Sequence, residues 1–483
     1  MSGAIHPPFT VKAKKEQFAV KKWSLAICLA LGVGIWLTPT PEGLDPKAWK
    51  VFALFAYTIA GMILRPIDRG TLTLTSLVLL NLSGVCTFNE AFSGFSNPTV
   101  WLITIAFFFA RGFVKTGLGM RIAYKILSLV GKSTLGMAYG LIFTDWLLGS
   151  AIPSVTARAG AIIFPLVTSI AKAFESHPHS HPRKIGAYLV KTIFQCGAVT
   201  SAMFLTAMAG NPMVQGLAEK CGVTITWGSW ALAALVPGIA SLAFIPWLLL
   251  KIYPPEITES SESVSMAKTK LKEMGPISRD EWIMIASFVI MITLWGAGSI
   301  IGISAAITAL IGLSILLVSE VLTWDDVLAE KGAFDTLFWF SSLLALATML
   351  AKFGFMDWFS LHIGGKLSAM NSVASFLVIV LLYYYSHYLF ASNIAHITAM
   401  YAPFLLLAIA TGTPPALAAF SLGFISSLYG SLTTYGCGPA PIFYGSGYVS
   451  TKDWWRLGFI ISLVNIVIWL TVGTVWWKII GLF

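Results

Sequence analysis

Two short segments carry side chains suited to holding a small anion. One reads Ser154-Val-Thr-Ala-Arg158 and the other Ser392-Asn-Ile-Ala-His396, each inside an apolar stretch. Ser154, Thr156, Ser392 and Asn393 offer hydroxyl and amide donors for carboxylate oxygens. Arg158 adds a fixed positive charge and His396 a titratable one. Ser150-Ala-Ile-Pro153 and the small polar residues around both segments interrupt the helical pattern. Half-helices starting at Thr156 and Ile394 would aim free N–H groups and positive dipole ends at a shared space. Backbone freed inside an apolar layer is tolerated only where protein or a water-filled cavity satisfies it, so paired breaks point to one midplane site.

Plainer readings stand beside these. Arg158 could pair with Asp145 after a chain reversal. The Ser, Thr and Asn side chains could be helix caps, which is compatible with binding. A lone His396 could be a satisfied core histidine; it has no Asp, Glu, Cys or second His at useful spacing, which argues against an intramembrane enzyme. Two further interruptions, Ala209-Gly210-Asn211-Pro212 and Gly436-Cys-Gly438-Pro439-Ala-Pro441, could be simple kinks. As paired kinks they add Gly210, Asn211, Pro212, Gly438 and Pro439 to the candidate binding residues. A channel would want a continuous polar stripe, whereas polar residues here gather at the breaks. Tyr383 to Tyr385 and the many tryptophans read as interfacial belts.

The elements that must position these segments are membrane helices. Of 483 residues, 57% are hydrophobic and 11% charged, and the mean hydropathy is +0.80. That composition predicts an all-α polytopic membrane protein with about 11 spans across a core about 30 Å thick. Lys12, Lys14, Lys15, Lys21 and Lys22 precede the first apolar run and predict a cytoplasmic N terminus; no small-residue cleavage pattern marks a signal peptide. The net charge of +10 lacks the basic face of a soluble domain that nucleic acid would need. The five cysteines are scattered without CxxC spacing and report neither disulfides nor metal. Among the acidic residues, Asp145 and Asp335 alone fall in apolar runs, so cation-binding carboxylates are scarce.

The chain repeats itself. Thr99, Ala110, Lys115 and Gly117 recur 237 positions later as Thr336, Ala347, Lys352 and Gly354. Ser154, Ala157, Arg158 and Pro165 recur 238 positions later as Ser392, Ala395, His396 and Pro403. The runs 97–117 and 332–354 look long for one span and short for two, and suit re-entrant hairpins. The division expected is a tail with scaffold helices (1–90), hairpin and transport helices (91–252), a solvated polar linker (253–280), scaffold helices (281–331), and a second hairpin and transport unit (332–483).

Together with Phe443-Tyr-Gly-Ser-Gly-Tyr448 and Lys452-Asp-Trp-Trp-Arg456, these features resemble the divalent anion/sodium symporter (INDY) family over nearly the whole chain. The likeness is closest to its bacterial citrate/succinate antiporter and 2-oxoglutarate/malate translocator branch. It implies two inverted repeats, an elevator mechanism, a homodimer, the bacterial inner membrane and no cofactor. The family's Ser-Asn-Thr triplets read here Ser154-Val155-Thr156 and Ser392-Asn393-Ile394, so carboxylate contacts carry over to Ser154, Thr156, Ser392 and Asn393 only. Arg158 and His396 stand near the positions of the family's cation sites. The resemblance therefore implies a sodium-independent antiporter of di- or tricarboxylates (2-oxoglutarate, malate, fumarate, succinate, with citrate the nearest competitor), and a sodium-coupled symporter as the alternative. An unpaired charge at Arg158 would hinder return of the empty carrier, and His396 would make transport change between about pH 5 and 8.

Overall fold

The computed structural model describes residues 21–259, 262–367 and 371–483; Lys12, Lys14 and Lys15 of the basic tail lie outside them. The first half runs α1 (Lys22–Leu37), α2 (Pro46–Leu64), α3 (Arg69–Leu82), α4 (Pro98–Thr116) and α5 (Leu118–Val130). Next, α6 (Thr134–Gly149) and α7 (Val155–Ala173) flank a first break, and α8 (Gly186–Met203) and α9 (Gly210–Lys220) a second. α10 (Trp227–Ile252), with Pro237 and Pro246 inside it, ends this half. The second half runs α11 (Glu262–Glu273), α12 (Arg279–Ile301), α13 (Ala305–Val318), α14 (Lys331–Lys352) and α15 (Phe355–Leu367). A third break lies between α16 (Ser372–Tyr385) and α17 (Asn393–Ala410), a fourth between α18 (Pro415–Leu428) and α19 (Ala440–Gly445), and α20 (Thr451–Ile479) completes the bundle. Among the described residues, nine helices are long and apolar enough to cross a membrane, and α1 and α13 are shorter apolar helices.

Local chemistry sets the starts and stops. Asn97 caps α4 ahead of Pro98, whose missing N–H costs nothing at a first helical position. Ser133 caps α6, and Ser278 with Glu281 forms a capping box on α12. Gly117, at φ +75°, turns the chain from α4 into α5.

Two expectations about organisation are corrected. The runs 97–117 and 332–354 are not hairpins: α4 and α14 are single continuous helices, 67% and 72% buried over their apolar windows, because no internal Pro or polar cluster interrupts them. α4 packs on α13 and α14 on α3, so both belong to the wall facing the breaks. The stretch 253–280 is not simply solvated either. α11 lies along α5 with Ser263, Val264 and Ala267 buried. Arg121 anchors its exit through Glu281 (2.5 Å) and the Gly275 carbonyl (2.8 Å). At its entry the Thr134 hydroxyl donates to the Ile257 carbonyl (2.6 Å). Thr134→Val should lower stability by about 1 kcal/mol, the usual net value of one such bond, read as a lower melting temperature in detergent.

Candidate functional site

All four breaks converge on one cavity of about 210 Å³. The first gives Ser154, Val155 and Thr156 to its wall, and the third gives Ser392, Asn393 and Ile394. The second adds Met208 and Ala209, the fourth Cys437, Gly438 and Pro439. Opposite stand Arg69 of α3, Phe107 of α4, and Thr336 and Trp339 of α14. The sequence therefore brings Ser154, Thr156, Ser392, Asn393, Gly438 and Pro439 together from two halves of the chain.

The two triplets are not equivalent in detail. Ser154 caps α7, its hydroxyl accepting from the Ala157 N–H at 3.1 Å, so one oxygen both caps and faces the cavity. Ser392 precedes α17 without any side-chain cap bond, so among the described residues its hydroxyl is not committed to the helix end. Asn393 is buried; its Nδ2 reaches only the Met208 sulfur at 3.4 Å, and among the described residues its Oδ1 has no partner. A buried amide this poorly satisfied costs free energy until something polar enters beside it. Glycines admit these side chains. A Cβ on Gly438 would fall within the contact radius of Thr156 Oγ1, and one on Gly430 would lie 2.8 Å from Asn393 Nδ2. The second repeat thus receives Thr156 of the first repeat, and its own Asn393, against bare backbone.

Gly210, Asn211 and Pro212 do not reach the cavity wall. Asn211 is fully buried, donating to the Ser201 (2.7 Å) and Phe204 (2.9 Å) carbonyls and accepting from Ser427 Oγ (3.1 Å). It satisfies backbone that the second break frees. Gly210 lets Ile397 approach, where a Cβ would meet its Cδ1 at 2.5 Å.

Arg158 and His396 also stand behind the wall, in related roles. Arg158 is fully buried and bonded on every side: Nε to Asp145 Oδ1 (3.0 Å), Nη1 to the Ile152 and Ala207 carbonyls (2.6 Å each), Nη2 to Ser201 Oγ (3.2 Å). Thr200 donates to the other Asp145 oxygen. The guanidinium thus staples the first break to the second. The expectation of an unpaired charge at Arg158 is corrected: the Asp145 ion pair cancels it, and Asp145 itself faces the cavity. The expectation that His396 lacks a second histidine is corrected as well. Its Nδ1 meets His387 Nδ1 at 3.1 Å, its Nε2 meets Ser386 Oγ at 2.9 Å, and His387 Nε2 donates to the Gly436 carbonyl at 3.1 Å. That chain staples the third break to the fourth. Tyr383 and Tyr384 are fully buried, not interfacial; Tyr383 packs on His396.

Comparison with known proteins identifies this architecture. Residues 19–483 match the family described as the sodium:sulfate symporter transmembrane region. The chain belongs to that family. This symporter-family chain is 49% identical over 469 residues to YflS of Bacillus subtilis (strain 168), named as a candidate malate transporter, covering 97% of this chain and 98% of that one. It is 49% identical over 464 residues to the chloroplastic dicarboxylate transporter 1 of Spinacia oleracea, covering 95% and 81%. The fold resembles the crystal structure of the Alcanivorax borkumensis YdaH transporter at a TM-score of 0.58 and 12% identity, over 95% of this chain and 98% of that one. The resemblance read from the sequence is borne out: the protein is a multi-pass membrane protein of a transporter family.

Sequence reasoning missed the wall that this symporter-family chain sets opposite its breaks. Arg69, Thr336 and Trp339 face the cavity from helices that carry no break, so nothing local marks them. Thr336 appeared only as a repeat match, and Arg69 and Trp339 did not appear at all. Ser201 of α8, Ser427 at the end of α18 and Ser431 in the fourth break add hydroxyls to the wall.

Proposed function

We propose that the protein is a sodium-independent antiporter exchanging small dicarboxylates, malate, 2-oxoglutarate, fumarate and succinate among them, across the bacterial cytoplasmic membrane. The names of YflS and of the spinach transporter support the cargo class. In the cavity, Ser154, Thr156, Ser392 and Asn393 would donate to two carboxylates, and Gly438 and Pro439 would shape the contact. Tricarboxylates such as citrate would be the larger competitors. The observation that carries the independence from sodium is the capture of break carbonyls by fixed donors. In broken-helix transporters such carbonyls coordinate the coupling cation. Here Arg158 takes those of Ile152 and Ala207, and His387, held by His396, takes that of Gly436. Val155 and Ile394 present no side-chain oxygen beside them. A carrier without a coupling cation draws its driving force from the counter-gradient of a second cargo, hence exchange. A homodimer of inverted repeats, with the breaks moving as an elevator against the α3, α4 and α14 wall and the N terminus in the cytoplasm, completes the reading. His396 would act on cargo only through the His387–Gly436 link.

The test uses purified protein in proteoliposomes, following labelled malate, 2-oxoglutarate and citrate. Uptake is expected to require internal dicarboxylate and to ignore a sodium gradient. Sodium-driven uptake into empty vesicles would instead establish a sodium-coupled symporter.

A further inference from the structure

We propose that Arg69 is a switchable ligand for one cargo carboxylate, held by Asp335 in the empty cavity and transferred to the cargo when it binds. This rests on the dicarboxylate reading above. Two charged residues line the cavity among the described residues, Arg69 and Asp145, and Asp145 is committed to Arg158 and Thr200. Arg69 is therefore the positive group that faces the space where a dianion would sit.

Its bonding differs from that of Arg158 in the way a switch requires. Arg158 is fully buried and makes four side-chain hydrogen bonds. Among the described residues Arg69 makes one, Nη2 to Asp335 Oδ2 at 3.0 Å, and both side chains of that pair are 39% exposed. A guanidinium has five N–H donors in a planar fork, so most of the capacity of Arg69 remains open. An ion pair this exposed is screened by solvent and contributes little, whereas hydrogen bonds to a desolvated carboxylate are stronger, so exchange of partners favours the cargo. The ring of Trp339 lies under the guanidinium at 5.9 Å and shares the cavity wall, which would guide the fork as it swings. Asp335 is absent from the wall and sits behind Arg69, placed to reclaim it.

Substitutions on the two sides of the pair then act with opposite sign. In proteoliposomes, succinate and its monocarboxylate isostere butyrate are titrated as inhibitors of labelled-malate uptake. Arg69→Gln is expected to weaken succinate about tenfold or more and to leave butyrate unchanged. Asp335→Asn is expected to strengthen succinate several-fold, because Arg69 loses its competitor, and the double variant should match Arg69→Gln alone. A gain in Asp335→Asn cannot arise from poor folding. Equal weakening by both single variants would mean a structural ion pair and overturn the proposal, as would no change in either. Wild-type protein that ignores succinate altogether would overturn the cargo reading, and the proposal with it.

Discussion

Replacing Gly438 by alanine is expected to weaken dicarboxylate transport about tenfold or more while the protein stays folded. The added Cβ would press on Thr156 Oγ1, with the Thr156 Cβ next at 3.3 Å. Thr156 relieves this most cheaply by moving to the other χ1 well open to a helical threonine. Doing so turns its hydroxyl from the cavity and removes one donor to a charged carboxylate. The loss should appear in apparent KM for malate more than in melting temperature. Gly445→Ala, seven positions on in the same segment, makes the control: a Cβ there meets nothing within 4 Å and should be silent in both assays. Unchanged malate affinity in Gly438→Ala would remove Thr156 from the cargo contacts.

Arg158→Ala is expected to cost about 3 to 5 kcal/mol of stability, the usual penalty for stranding one member of a buried ion pair. Asp145, only 6% exposed, would be left with Thr200 as its remaining side-chain partner. The Ile152 and Ala207 carbonyls would lose their donor where water is scarce. Arg158→Lys should fall between, because one ammonium cannot reproduce a fork that reaches a carboxylate and two carbonyls at once. Asp145→Asn should be milder than Arg158→Ala, since Arg158 keeps both carbonyls and Ser201. It also removes negative charge from the cavity wall and so should strengthen dianion binding. Melting curves of the purified variants in detergent give the order. If Arg158→Ala melts with the wild type, the staple carries no stability.

The two staples give one answer to a problem that repeats impose. A helix broken at membrane depth frees carbonyls that lipid cannot satisfy. The first repeat satisfies them with an arginine whose charge a neighbouring aspartate offsets. The second uses two neutral-capable imidazoles in series, ending on the Gly436 carbonyl. Arg158 and His396, equivalent by position, are therefore equivalent by task, and neither touches the cavity.

The class of protein, the two-fold repetition and the location of the breaks were all determined by the sequence alone. Apolar runs of span length leave little choice but membrane helices, and Pro, Gly and Ser inside such runs leave little choice but breaks. Ser154, Thr156, Ser392 and Asn393 could be selected for the same reason: they are the polar residues at the points where helices stop. Packing alone decided the rest. The length of an apolar run did not show that α4 and α14 are continuous helices; they carry no internal Pro or polar cluster, and their neighbours bury them over most of their length. Whether Arg158 faces a cargo or an aspartate depends on a chain reversal that brings residues 13 and 49 positions away against it. Arg69 enters the site from a helix without any break, 266 positions from its partner Asp335, because contacts between distant helices leave no local pattern to read.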